Sequence, residues 1–210
     1  MKRMTSKKKI KCVLVLCGLI LLATLFLLQS APVNVSSGEN IYVCNEAEIL
    51  IPSPELAIQY VSLGVPDINS SFKTWMGHNA VTNKNSPQYK LIHTYGWCDE
   101  NGFMRCSGER DLGIEQDYYL VALGSYYGTK IGTKYKITLD TGRVFYAVLA
   151  DCKSDSHTNS TNQYVQSNKN IVEFIVNVSA LNKDVKRTGT ANVHMPLNGS
   201  VTKIERIDFK

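Results

Sequence analysis

From Cys12 to Leu28 the chain reads CVLVLCGLILLATLFLL, seventeen residues without a charge, directly behind Lys2, Arg3, Lys7, Lys8, Lys9 and Lys11. A membrane-spanning helix needs about 20 apolar residues, with a lower limit near 17. A secretory signal has an apolar core of about 7–15 residues and then small residues at the cut. Ser30 and Ala31 are small, but Gln29 is ill suited to stand two residues before a cut at Ala31. The segment is therefore expected to be an uncleaved anchor, a cleaved signal being the alternative. The basic cluster belongs on the cytoplasmic side of such a segment. A buried helix of a soluble protein would rarely be apolar all round and preceded by six cations.

This feature divides the chain. Residues 1–11 read as a basic cytoplasmic tail and 12–30 as a transmembrane or signal-anchor segment. Residues 31–88 read as a stalk with a helical and loop lead-in, and 89–210 as a β domain. The expected location is the cell membrane, single-pass, with the C-terminal domain outside the cytoplasm.

The formal charge of +5 belongs mostly to the tail. Without those six cations, seventeen basic residues face eighteen acidic ones. A nucleic-acid partner needs a basic face on the domain itself and is not expected.

Cys12 and Cys17 lie in the apolar run and are expected to pack there. Cys44, Cys98, Cys106 and Cys152 follow it, an even number that permits two disulfides in three connectivities. Cys98 and Cys106 bracket a turn-like DENGFMR stretch and are placed to close a hairpin, which leaves Cys44 with Cys152. Zinc is the rival reading, but no Cys-x-x-Cys pair or suitably spaced histidine accompanies them, so no metal is expected. No cofactor motif is present either. Sequons at Asn34, Asn69, Asn159, Asn177 and Asn198 are read as chance in a chain rich in Asn, Ser and Thr.

Two short helices are expected early. Pro52–Leu63 has Ser53 as a cap and Pro54 at the first helical position, and Ser70–Met76 places Phe72, Trp75 and Met76 on one face. From Tyr89 the texture becomes short strands between turn residues. Tyr118–Leu123 is β-rich. Thr133–Leu139 alternates, and Val144–Ala150 is nearly continuously apolar, as a strand buried on both faces should be. Asp140-Thr-Gly142 is a hairpin turn between the last two. Ile171–Val178 follows the polar loop Ser154–Asn170, and Val201–Phe209 ends the chain. Such spacing predicts a small barrel rather than a βαβ fold.

No Gly-x-Ser-x-Gly, His-Glu-x-x-His or phosphate loop occurs. The informative stretch is VALGSYYGTKIGTKYKI (Val121–Ile137), followed by FYAVLADCKSD (Phe145–Asp155). Val-Ala, then Ile-Gly-Thr-Lys-x-x-Ile, then a strand ending in Ala-Asp resembles the double-psi β-barrels of bacterial cell walls. The similarity is nearest to the three-aspartate domain and the lytic transglycosylase barrel, more distant to rare lipoprotein A, and spans roughly residues 118–175. It implies a mostly β fold, a small double-psi-like β-barrel with short N-terminal helices. It also implies action on cell-wall glycan, with Asp151 as the general acid that cleaves strands without water and Glu173 as the second acidic residue. Where the family continues with Thr-Gly-Gly this chain has Cys152-Lys153-Ser154, and Leu123-Gly124 replaces an early aspartate.

Asp151 follows an apolar strand, and desolvation would raise its pKa as an acid working near neutrality requires. Asp155 and His157 follow in the same loop, placed to bind sugar hydroxyls or share the proton traffic. Tyr126, Tyr127 and Trp97 are candidates for stacking on sugar rings. The plainer alternatives are that Asp151 ends a strand, that the aromatics pack the barrel, and that the domain is a non-catalytic polysaccharide-binding, protein-binding or scaffold module.

Overall fold

The computed structural model describes residues 58–210. The basic tail, the apolar segment, the stalk, Cys44 and the Pro52–Ala57 half of the first expected helix lie outside them. Among the described residues no helix is long and apolar enough to cross a membrane.

The described chain is mostly β, a single nine-stranded sheet. Its strands are β1 (Ile58–Leu63), β2 (Trp75–Gly77), β3 (Trp97–Cys98), β4 (Met104–Cys106) and β5 (Tyr118–Leu123), then β6 (Lys134–Leu139), β7 (Val144–Cys152), β8 (Glu173–Val176) and β9 (Val201–Phe209). They run β1-β9-β6-β7-β5-β4-β3, with β8 also on β5 and β2 on β8. The β5–β7 and β2–β8 pairs are parallel, and the others are antiparallel. Along its outer edge β5 changes partner. Tyr118 and Tyr119 pair with β4, whereas Val121 and Ala122 pair with β8.

Period-2 alternation sorts these strands onto two cores. Tyr119, Val121 and Leu123 of β5 join Tyr135, Ile137 and Leu139 of β6 and Phe145, Ala147 and Leu149 of β7 on one face. Tyr118 and Leu120 join Val148, Ala150, Ile175 and Ile207 on the other, beneath Ile92 and Ile114. Because both faces are covered, β5 and β7 read as unbroken apolar runs.

Two expected helices are not there. Ile58–Leu63 is a strand antiparallel to β9, and Ser70–Met76 is extended chain leading into β2. The reasons are tertiary. An edge of β9 offers β1 a full ladder of backbone partners, which outweighs a marginal helix of that length. In the second segment the hydroxyl of Ser70 accepts from the N–H of Val201 (2.8 Å) and donates to its carbonyl (3.3 Å). Lys73 is fully buried, with Nζ donating to the carbonyls of Ser71 and Gly199. These ties stretch the chain along the 199–201 turn.

The Cys98–Cys106 bridge is also absent; among the described residues Cys98, Cys106 and Cys152 are free thiols, and the expected Cys44–Cys152 pairing lies outside them through Cys44. The hairpin itself forms, but Cys98 pairs opposite Met104, leaving Cys106 diagonal to it. Diagonal neighbours stand about 7–8 Å apart, beyond the roughly 4.4–6.8 Å between Cα atoms that a disulfide takes. Both thiols instead pack against the second core, and burial pushes Cys106 up to about 11.

Candidate functional site

Three strand ends meet around Ala122. Register places it beside Asp151 of β7 on one side and Glu173 of β8 on the other. The two acidic residues that the sequence resemblance singled out thus sit on strands flanking a common neighbour, about two strand spacings, or roughly 10 Å, apart along the backbone. Between Val121 and Ala122 the register slips: Leu149 pairs with Val121, Asp151 with Ala122, and Ala150 is the extra residue of a bulge. A bulge reverses which face the following side chains take. Accordingly Cys152, not Asp151, packs against the core that holds Leu149.

The two carboxyls have different surroundings. Burial raises the Asp151 pKa above the ordinary carboxyl range, and the Cys152 backbone N–H offsets part of the rise. Glu173 faces the ammonium of Lys153 at 3.6 Å, with side-chain exposures of 25% and 3% respectively. Burial pulls Lys153 down to about 8, against the pull of Glu173 in the opposite direction. Its Nζ has no hydrogen-bond partner among the described residues. Lys153 is anchored through its backbone, whose N–H donates to the Leu123 carbonyl (2.9 Å).

Glu173 opens onto a cleft of about 540 Å³ that also contains His157, Trp75, Thr74 and Asn170, with Gln166, Ser167 and Asn168 on its outer wall. Asp151 is not among its lining residues. Trp75 is held there by β2, opposite Phe174 of β8, and its indole N–H has no acceptor among the described residues. Asn170 is buried, accepting from the Thr74 N–H (3.3 Å) and donating to the Thr74 hydroxyl (2.5 Å).

The outer wall is the polar loop 154–170, and it is built internally. Asn159 Oδ1 accepts from the N–H groups of Gln163 (2.8 Å) and Tyr164 (3.1 Å), and Thr158 pairs with Val165. Asp155 accepts from the Ser125 hydroxyl at 2.7 Å, tying the loop to the turn after β5. There Gly124 lets the loop come close, since a Cβ on it would stand 2.0 Å from the Asn162 carbonyl oxygen. Gly124→Ala is expected to push this loop outward at a cost on the order of 1 kcal/mol, because a surface loop can yield where a core cannot. A thermal melt together with loss of amide-exchange protection at Gln163 and Tyr164 would register it.

The remaining candidates separate. Tyr126 is exposed, whereas Tyr127 is buried in the main core against it, edge to face at 5.1 Å. Tyr127 is thus a packing residue. Trp97 sits on β3, three strands along the sheet from β7, outside this cleft. Asp155 is committed to Ser125. What the structure brings together is Glu173 with His157, and Asp151 beside Ala122.

Trp75, Lys153 and Asn170 were missed by sequence reading. Trp75 looked like one face of a helix, Lys153 stood only within the departure from the family's Thr-Gly-Gly, and Asn170 ended a polar loop. The faint signal for Lys153 is its place two residues beyond Asp151, directly after an apolar strand.

No protein-family model, no curated protein and no solved structure matches this chain.

Proposed function

We propose that this domain is a double-psi-like β-barrel that grips cell-wall glycan in the Trp75–Glu173 cleft, outside the cytoplasm and tethered by the Cys12–Leu28 segment. The reading rests chiefly on the lining of that cleft, an indole beside one carboxylate and a wall of amides and hydroxyls. Sugar rings take this combination, with the apolar ring face against the aromatic and the hydroxyls on amide and hydroxyl groups.

Binding is favoured over turnover by the company Glu173 keeps. A carboxylate paired with a lysine accepts hydrogen bonds and does not donate a proton. A general acid has to reach the bond it cleaves, and Asp151, the carboxyl with the raised pKa, is not among the residues lining this cleft. The second reading, a lytic-transglycosylase-like enzyme using Asp151, is favoured by that raised pKa and by the bulge that turns the side chain.

Co-sedimentation of the full-length chain with purified bacterial sacculi tests both. The wild type should co-sediment without releasing anhydro-muropeptides. Gln166→Ala with Asn168→Ala, both on exposed loop positions, should weaken binding about tenfold, as loss of two hydrogen bonds implies. Release of anhydro-sugars by wild type but not by folded Asp151→Asn would replace binding by catalysis. Neither binding nor release would end the wall reading.

A further inference from the structure

A second cleft, about 660 Å³, lies between the Gly128–Gly132 loop and the end of β9, and neither reading above uses it. The loop is Gly128-Thr-Lys-Ile-Gly132, and both glycines have positive φ, 135° and 92°. The Gly132 N–H donates to the Leu149 carbonyl (2.8 Å), and the Thr133 N–H to the Lys130 carbonyl (3.1 Å), closing a turn. This pins the loop at its C-terminal side. The Gly128 N–H is taken by the Ser125 carbonyl (3.1 Å) and pins the other side. The three N–H groups between them, on Thr129, Lys130 and Ile131, have no acceptor among the described residues.

The charges around this loop are unequal. Lys130, Lys134 and Arg206 line the cleft against one carboxylate, Asp208. Lys134 is ion-paired with Glu109. Arg206 uses Nε and one terminal nitrogen on Asp208, both at 2.8 Å, leaving its other terminal nitrogen without an acceptor among the described residues. Lys130 has no ion-pair partner among them.

We propose that this cleft binds a small oxyanion group, phosphate in preference to carboxylate, on the backbone N–H groups of Thr129, Lys130 and Ile131, with Lys130 and the free edge of Arg206 supplying charge. Successive N–H groups in a glycine-flanked turn form a concavity for an anion, and charge-assisted hydrogen bonds are about twice as strong as neutral ones. A phosphate presents three or more acceptor oxygens to this donor set, where a carboxylate presents two. The inference is independent of the glycan cleft, since the two share no lining residue.

The test is a titration of the isotope-labelled full-length chain in neutral detergent, followed by amide NMR shifts at constant ionic strength. Inorganic phosphate and acetate serve as separate probes. Phosphate should produce saturable shifts clustered at residues 129–133. Acetate should bind the same residues more weakly, and Lys130→Ala should weaken phosphate binding about tenfold. Lys169→Ala, on the exposed loop at the other cleft, should leave it unchanged. Shifts that stay linear and spread over the exposed lysines would overturn the proposal, as would equal effects of the two alanine variants. Tighter binding of acetate than of phosphate would overturn the preference and keep the site.

Discussion

Phe174→Ala should remove about 3–5 kcal/mol of stability, the usual cost of deleting a phenylalanine from a core that cannot collapse around the gap. Phe174 is fully buried at the centre of an aromatic cluster. Its ring meets Phe103 and Tyr119 edge to face, each at 5.4 Å, and Phe145 at 5.8 Å. The four rings come from three strands and the β3–β4 hairpin, so no single movement refills the space. The backbone at this point adds to the effect, because Phe174 pairs with Val121 of β5 on one side and Trp75 of β2 on the other. Any shift of β8 to close the gap would therefore disturb Trp75, the floor of the proposed glycan cleft. A denaturant titration gives the loss in stability. If the loss is below about 1.5 kcal/mol, the site relaxes as a volume-conserving swap would, and the described packing is wrong.

The second large effect depends on pH. Glu173→Gln takes away the only charge facing Lys153 among the described residues, leaving a buried ammonium without compensation. Fully buried pairs lose about 3–5 kcal/mol when one partner goes. A quarter of the Glu173 side chain meets solvent, so about 2–3 kcal/mol is expected at pH 6.5. The loss should shrink as pH rises. Lys153 in the folded wild type loses its proton at about 8, against an ordinary 10.5. Between those values the unfolded chain binds more protons than the folded one, and stability increases with pH. Above about pH 9 the folded lysine is neutral in both proteins, and the difference between them should fall below about 1 kcal/mol. Lys153→Met combined with Glu173→Leu should be at least as stable as wild type at pH 7, since replacing both partners of a buried ion pair by well-packed apolar residues is often neutral or stabilising. Lys73, also drawn down to about 8 by burial, acts in the same direction and should supply the slope that remains in that double variant. Cys106 acts in the opposite direction, because its thiol stays protonated in the folded state up to about 11 while the unfolded chain ionises near 9.0. The lysine effect is therefore read between pH 7 and 9, by denaturant midpoints. A Glu173→Gln deficit that stays constant across that range would show that Lys153 does not carry it.

The strands from β5 onward were legible because their side chains announce their surroundings. The alternation in Lys134–Leu139 marks a strand with one face inward, and the unbroken apolar run in Val144–Ala150 marks one covered on both sides. Tyr118–Leu123 and Val201–Phe209 follow the same logic, whereas Asp151 and Glu173 were singled out together by the family resemblance. The early segments were not legible. Ile58–Leu63 and Trp75–Gly77 are short, and local propensity alone favoured helix. What decided them was a free edge on β9 and a free edge on β8, each supplied by residues far along the chain.

The sequence by itself determined which stretches must be buried and where a strand must end, since burial of apolar side chains follows composition and period. Only the tertiary structure decided which polar groups meet. The bulge at Ala150, the Lys153–Glu173 pair, the diagonal offset of Cys98 from Cys106 and the placing of Trp75 beside the loop 154–170 all depend on register between strands. Register comes from the joint satisfaction of backbone hydrogen bonds and packing across the whole sheet, and no local pattern of residues records it.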